Sequence, residues 1–118
     1  MTELPPIDQS DFDALLELLE RSTMTDVVRM LVESAPVRIA TASQALAAGN
    51  GTVASTAFHT LRSGCGQLGA RHLEALSANG ERLARTGDVA GARACLADVE
   101  AEFARCLVWF RDNGWLSE

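Results

Sequence analysis

The chain has 118 residues and contains no tyrosine, few clusters of β-branched residues and no sustained alternation of polar and apolar positions. Strands are normally rich in aromatic and β-branched residues in such alternation, so a β-sheet is disfavoured. No apolar run approaches the roughly 18 to 20 residues that a membrane-spanning helix needs, and the N-terminus lacks the basic start and apolar centre of a secretion signal. We therefore expect a cytoplasmic protein that does not associate with membranes.

Cysteine is also scarce. Cys65, Cys95 and Cys106 are an odd number without CxxC spacing, which argues against both a disulfide framework and a zinc site. We expect three reduced thiols in the core and no metal bound by this chain. The Glu-x-x-His pairs of di-iron bundles are absent too, because Thr56 and Gly69 stand three residues before the two histidines.

The charge balance excludes a further set of partners and activities. A formal net charge of −6 repels phosphate backbones and anionic lipid headgroups, so nucleic acid is not an expected partner. No glycine-rich loop followed by lysine occurs, so the chain has no sequence motif for binding the nucleotide that a kinase uses.

Helical periodicity, by contrast, covers most of the chain. Apolar residues recur at spacings of three and four, and glycines and helix-capping residues separate the segments. The predicted helices span about Ser10–Arg21, Thr25 to the Gly49–Asn50–Gly51 stretch, Thr52–Leu68, Arg71–Thr86, and a final segment that begins after Asp88. Pro36 should kink the second helix rather than divide it, because the apolar stripe continues in phase on both sides.

Short connections between these segments predict antiparallel neighbours. The expected fold is all-α: an up-and-down antiparallel four-helix bundle with an additional short N-terminal helix. We expect a single domain over residues 1–118, with flexible ends at 1–7 and 113–118 and with Trp115 folded back.

His59 lies on the side of the third predicted helix that faces away from the bundle, at about 100° per residue. Its neighbours on that side are small apart from one arginine: Thr52, Ser55, Thr56, Arg62, Ser63, Gly66 and Ala70. The opposite side, toward the core, carries Ala54, Ala57, Leu61, Gly64 and Leu68. Gly64 and Gly66 would each cost roughly 0.5 to 1 kcal/mol in a helix interior. Such a cleared stripe favours the close approach of another protein.

The segment from His59 to Ala70, which reads HTLRSGCGQLGA, resembles the signature His-x-Leu-Lys-Gly-small-small-x-x-Leu-Gly of histidine-phosphotransfer (HPt) domains. Four further segments resemble the sequences that flank this signature: Glu33–Ile39, Ala47–Asn50, Glu81–Leu83 and Thr86–Asp88. The likeness therefore covers essentially the whole chain. It implies that His59 accepts a phosphoryl group from a receiver-domain aspartate and passes it to another receiver. It also implies a phosphocarrier rather than an enzyme, with Mg²⁺ on the partner receiver and no cofactor on this chain.

The resemblance assigns roles to three further residues. Arg62 stands at the position of the family lysine, where a cation neutralises phosphate oxygens, and Glu81 would hold the imidazole nitrogen that is not phosphorylated. Ser63 replaces the usual glycine, and its hydroxymethyl group either narrows the approach to His59 or hydrogen-bonds the phosphate.

The remaining predictions concern partners. The docking surface is predicted at Ser55, Thr56, Gly66 and Gln67, the partners are response-regulator receivers or a hybrid sensor kinase, and the chain is expected to be a monomer. His72 is interpreted as a surface histidine without function. The alternative function is an HPt-like module that binds a receiver or another regulator without carrying phosphate.

Overall fold

The structure, a computed structural model, describes residues 4–116 and contains five α-helices and one 3₁₀ turn. The elements are α1 (Gln9–Leu18), α2 (Arg21–Ala47), α3 (Gly51–Ser63), the 3₁₀ turn (Gly66–Leu68), α4 (Arg71–Arg85) and α5 (Val89–Asp112). Helix α2 packs on α3, α3 on α4, α4 on α5, and α5 on α2. The predicted four-helix bundle with an additional N-terminal helix is confirmed. No helix within the described range is long and apolar enough to cross a membrane.

Side-chain caps explain where three of the helices begin. Asp8 accepts a hydrogen bond from the backbone N–H of Asp11 at the start of α1, and Asn50 accepts one from Val53 at the start of α3. Asp88, the predicted cap of α5, accepts one from Gly91. Each carboxylate or amide oxygen satisfies a backbone donor that has no partner inside the helix.

The boundary between the first two helices differs from the prediction. Helix α1 ends at Leu18 rather than Arg21, and α2 starts at Arg21 rather than near Thr25. Leu19 and Glu20 have extended backbone angles, and Glu20 makes no side-chain cap, so the usual N-terminal signal was missing. Helix α2 then continues without a break through Pro36, as predicted.

The end of α3 is a second correction. The predicted helix ran to Leu68, but α3 ends at Ser63, and Gly69 closes the following 3₁₀ turn with a positive φ of 79°. Because the helix ends early, two residues lie on the opposite side from the one predicted. Gly64, predicted to face the core, is exposed, and Ala70, predicted to face solvent, is fully buried. The two glycines therefore do not lie in a helix interior, and the predicted energetic cost does not apply to them.

One residue near each end of the described chain is buried. Ile7 is fully buried, and Trp115 folds back with its ring 5.1 Å from that of Phe12, beneath the guanidinium of Arg21 at 4.2 Å. Flexibility of the ends at 1–7 and 113–118 stays a prediction, and within these segments Ile7 and Trp115 are packed against the core. The folding back of Trp115 agrees with the prediction. Residues 1–3 and 117–118 lie outside the described residues.

Candidate functional site

Helix α3 presents His59 to solvent because its apolar residues occupy the opposite side. Ala54, Ala57, Phe58 and Leu61 are buried, whereas the side chain of His59 remains 54% exposed. An imidazole in this position is accessible to a partner while its backbone is fixed by the bundle.

The neighbouring helix α4 comes unusually close to α3 at this level. A methyl group on Gly80 would lie only 2.5 Å from the ring of Phe58, so the aromatic ring packs directly on the glycine backbone. Near the start of α3, a methyl group on Gly51 would collide with the carbonyl of Ala84. Since Phe58 precedes His59 and Gly80 precedes Glu81, this close packing brings the two polar side chains within reach of each other.

His59, Glu81 and Arg62 form one polar cluster at this crossing, which we call the imidazole cluster. Nδ1 of His59 lies 3.1 Å from Oε2 of Glu81 and 3.0 Å from Nη2 of Arg62. The same Nη2 lies 3.4 Å from Oε1 of Glu81. Glu81 is only 13% exposed, whereas Arg62 is 38% exposed. The structure therefore brings together three of the side chains that the sequence singled out.

Arg85 also contacts the imidazole cluster, and the sequence interpretation did not identify it. Its Nη1 lies 3.6 Å from Oε2 of Glu81, one turn further along α4. The spacing of four residues between Glu81 and Arg85 is a recognisable signal for such a pair on a helix. The carboxylate is consequently flanked by two guanidinium groups and one imidazole.

Ser63 directs its hydroxyl group to its own helix. The hydroxyl donates a hydrogen bond to the backbone carbonyl of His59 at 2.9 Å. A hydrogen bond from this hydroxyl to a phosphate oxygen would first require that bond to break. The residue lies one helical turn from the imidazole, where its side chain still occupies space that a glycine would leave open.

Two surface hollows meet at Gln67, and Arg62 of the imidazole cluster lines the first of them. One, of about 460 Å³, is lined by Arg62, Ser63, Gly66, Gln67, Glu74, Ala75 and Ala78. The other, of about 580 Å³, has a largely apolar lining made by Val27, Met30, Leu31, Glu33, Ser34, Gly64 and Gln67. Gln67 is common to both. The contribution of α2 was not predicted, although Met30, with 68% of its surface exposed, is a large apolar side chain outside the core stripe.

Ser55 and Thr56, the other predicted docking residues, lie one turn before His59 on α3. Thr56 is exposed and donates its hydroxyl to the carbonyl of Thr52 at 3.2 Å, while Ser55 is half-buried. Both side chains are short, so they leave space for a partner protein to approach the imidazole from this side.

The cluster has a defined chemical capacity. With Nδ1 occupied, Nε2 is the ring nitrogen left for reaction with an electrophile, and neutral imidazole is a competent nucleophile. Between residues 4 and 116, no group of three or more His, Cys, Asp and Glu side chains converges in a way that could hold a metal ion.

His72 has an unexpected partner elsewhere. Its Nδ1 lies 3.3 Å from Oε1 of Glu102, a carboxylate that is 4% exposed and that also accepts a hydrogen bond from Arg105 at 2.9 Å. The residue thus has a structural contact with a nearly buried carboxylate, in addition to its exposure to solvent.

Comparison with known proteins places these features in a family. The model of the Hpt domain family matches residues 26–109, which include the whole imidazole cluster. The crystal structure of histidine-containing phosphotransfer protein B (HptB) from Pseudomonas aeruginosa PAO1 is similar in fold. It superimposes with a TM-score of 0.87 at 24% sequence identity, over 94% of this chain and 96% of that one. No curated protein sequence matches the chain.

The chain therefore belongs to the Hpt domain family. Members of this family are phosphotransfer proteins of two-component signalling, and they interact with receiver domains and kinases in phosphorelays.

Proposed function

We propose that this protein carries a phosphoryl group on Nε2 of His59, accepting it from the aspartyl phosphate of one receiver domain and passing it to another. The observation that carries the proposal is the half-exposed imidazole with Nδ1 3.1 Å from the carboxylate of Glu81. A hydrogen bond from Nδ1–H to a carboxylate fixes the tautomer and increases the basicity of Nε2.

The transfer step requires few groups from this chain. The Nε2 lone pair attacks phosphorus, the N–P bond forms, and the bond between phosphorus and the aspartate oxygen breaks to regenerate the carboxylate. During the transfer the ring proton is on Nδ1, which donates a hydrogen bond to Glu81, and Arg62 provides positive charge for the phosphoryl oxygens. Phosphoryl transfer depends mainly on positioning and charge neutralisation. We propose, from the family resemblance, that the receiver supplies the Mg²⁺.

The receiver would dock over the two hollows on either side of Gln67. Small residues at Ser55, Thr56 and Gly66 would allow its phosphorylated aspartate to approach His59. The apolar lining around Met30 suits a partner surface with a hydrophobic centre, as interfaces commonly have. We further propose that the protein acts in the cytoplasm as a monomer without kinase activity of its own.

The test is phosphorylation by a phosphorylated receiver in the presence of Mg²⁺, with acid-labile phosphate followed on the wild type and on His59→Gln. His72→Gln is the matched control, because its imidazole is equally exposed, at 57%, and also contacts a carboxylate. We expect label on the wild type and on His72→Gln, and none on His59→Gln.

A different result would favour the alternative function. If a receiver binds the wild type and His59→Gln equally well but labels neither, the protein is an interaction module and not a carrier. Label that survives in His59→Gln and disappears in His72→Gln would move the acceptor to the second histidine.

A further inference from the structure

Nδ1 of His59 has two partners whose requirements conflict. A carboxylate only accepts hydrogen bonds, so Glu81 requires a proton on Nδ1. A guanidinium only donates them, so Arg62 requires a lone pair on Nδ1. With distances of 3.1 Å and 3.0 Å, the two contacts are equally close, yet one protonation state satisfies only one of them.

In the neutral ring, the hydrogen-bond partner of Nδ1 determines whether Nε2 carries the single ring proton. When Arg62 donates to Nδ1, the single ring proton lies on Nε2, which then has no lone pair for attack. When Nδ1–H donates to Glu81, the proton has left Nε2, and Nε2 is nucleophilic. Arg62 and Glu81 thus favour opposite tautomers, and only one of these tautomers can accept a phosphoryl group.

We propose that Arg62 holds the resting imidazole in the unreactive Nε2–H tautomer and releases it when a phosphoryl group arrives. This inference rests on the proposed carrier function. The incoming phosphoryl group is a doubly charged acceptor with three oxygens, so it attracts a guanidinium more strongly than a neutral ring nitrogen does. Arg62 is 38% exposed and can turn toward it. Nδ1 then takes up a proton from solvent while Nε2 loses its proton to solvent, and no net charge changes on the ring.

Arg85 makes this exchange possible without isolating the carboxylate. Glu81 is 13% exposed, and a buried carboxylate that lost its only cation would be costly. Arg85 is 3.6 Å from Oε2 of Glu81 and is unaffected by the movement of Arg62. The carboxylate therefore keeps a positive neighbour at every stage, and its oxygens can accept the hydrogen bond from Nδ1–H.

The functional benefit is selectivity for the partner. Histidine Nε2 reacts with many electrophiles, but only one that carries an anionic group would draw Arg62 away. The same arginine would thus control the nucleophile and neutralise the transferred group.

The experiment measures the tautomer directly in the free protein. Imidazole ¹⁵N chemical shifts of His59 give the ratio of Nδ1–H to Nε2–H at pH 8, where an ordinary histidine is neutral. The variants are Arg62→Met and Arg85→Met, which remove the same charge beside Glu81 and keep similar side-chain length. Of these two arginines, Arg62 is the one that contacts the imidazole, so Arg85→Met controls for the loss of a positive charge beside Glu81.

We expect the ratio of Nδ1–H to Nε2–H to rise at least about fivefold in Arg62→Met, as loss of a charge-assisted hydrogen bond implies. In Arg85→Met the ratio should stay within about twofold of the wild-type value. A ratio that is unchanged in Arg62→Met, or that changes equally in both variants, would overturn the inference.

A second readout uses a neutral acylating reagent, diethyl pyrocarbonate, which needs no charge neutralisation. Nε2 of His59 should react at least about fivefold faster in Arg62→Met than in the wild type, in step with the tautomer ratio. His72, which is similarly exposed, serves as the reference in every sample. Equal rates relative to His72 would contradict the inference. Neither readout depends on phosphorylation, so the inference can fail while the carrier function stands.

Discussion

At the scale of single residues, the surroundings of His59 are made by side chains that lie on two different helices. Arg62 is one turn away on α3, whereas Glu81 and Arg85 belong to α4. All ten basic residues of the chain are arginines. The guanidinium at the position of the family lysine brings one nitrogen, Nη2, close to both the imidazole and the carboxylate. A lysine ammonium has no such planar, fixed set of donors.

Replacing Glu81 should slow transfer to His59 while preserving the fold. In Glu81→Ala, Nδ1 loses its acceptor and Arg62 keeps the ring in the unreactive tautomer, so we expect the rate to fall by about 10- to 100-fold, the equivalent of a hydrogen bond to a charged group. Glu81→Gln retains a carbonyl acceptor and should lie between the wild type and Glu81→Ala. Rapid-quench measurement with a phosphorylated receiver gives these rates.

Glu100→Ala is the control for Glu81, because Glu100 is an exposed glutamate on α5 that lines neither of the two hollows. Its rate should remain within a few-fold of wild type, whereas a Glu81→Ala rate equal to that of Glu100→Ala would remove Glu81 from the transfer step. Circular dichroism should give unchanged helix content in all three variants.

At the scale of helices, the contact between α3 and α4 sets the geometry of the site. We expect Gly80→Ala to cost about 1 to 3 kcal/mol, because the added methyl group overlaps the ring of Phe58 and the helices must move apart. The separation should also weaken the contact between His59 and Glu81 and slow phosphoryl transfer. Urea unfolding gives the stability and rapid quench gives the rate.

Gly64→Ala is the matched control for this prediction. Gly64 has φ −88° and ψ −6°, and a methyl group there would make only ordinary contacts at 3.7 Å or more. This variant should be neutral or more stable by about 0.4 to 1 kcal/mol, since alanine has less freedom in the unfolded chain. Equal stability of Gly80→Ala and the wild type would show that the α3–α4 packing tolerates the extra volume.

The helices themselves could largely be predicted, but their ends and crossings could not. Asp88 and Gly87 mark the boundary between α4 and α5 clearly, and that boundary was predicted within one residue. The end of α3 was missed because the apolar periodicity of the sequence continues to Leu68, although the backbone changes to a 3₁₀ turn at Gly66. The contact between Phe58 and Gly80 was also missed, because periodicity shows which residues face inward but not which neighbours they meet.

The side chains that converge at the site were named in advance through the resemblance to a family motif. That resemblance named His59, Arg62 and Glu81, and the structure brings them within 3.4 Å of one another. It did not name Arg85 or the α2 residues that line the second hollow, because those positions lie outside the motif. The conflict at Nδ1 depends on interatomic distances that no sequence pattern contains.

At the scale of the whole molecule, Asp8 and Asp11 near the N-terminus bind the segment that connects α3 to α4. The backbone N–H of Asp8 donates to the carbonyl of Gly69 at 2.7 Å, and Arg71 at the start of α4 pairs with the carboxylates of Asp8 and Asp11. Hydrogen bonds from the Ser10 hydroxyl and the Asp11 backbone, together with the charge of Arg71, lower the pKa of Asp8.

This lowered pKa predicts the direction of an acid effect. The folded protein binds the Asp8 proton less readily than the unfolded chain, so Asp8 stabilises the fold at neutral pH and loses that effect as the pH falls below about 4. Asp8→Asn should therefore be less stable than the wild type at pH 7, and the difference should shrink toward pH 3. Urea unfolding across this range provides the measurement, with Asp98→Asn as a control for charge on the exposed surface. A constant difference would show that ionisation of Asp8 does not contribute.

The thiols should be protected in the folded protein. Burial raises the pKa of Cys65 and of Cys106 to about 12, and it also raises the pKa of Cys95. At pH 8 these thiols carry almost no thiolate, the form that reacts. Ellman's reagent should modify the native protein far more slowly than the chain in guanidinium chloride, where three thiols should react. Rapid modification of the native protein would indicate that the core around these residues opens easily.

Because all three native cysteines are buried, an added surface cysteine can be labelled selectively with a spectroscopic probe. A single cysteine introduced at an exposed position such as Thr56 would be the preferred site for a spin label or fluorophore, with no need to delete native thiols. Such a label, one turn from His59, would report the arrival and departure of each receiver in real time.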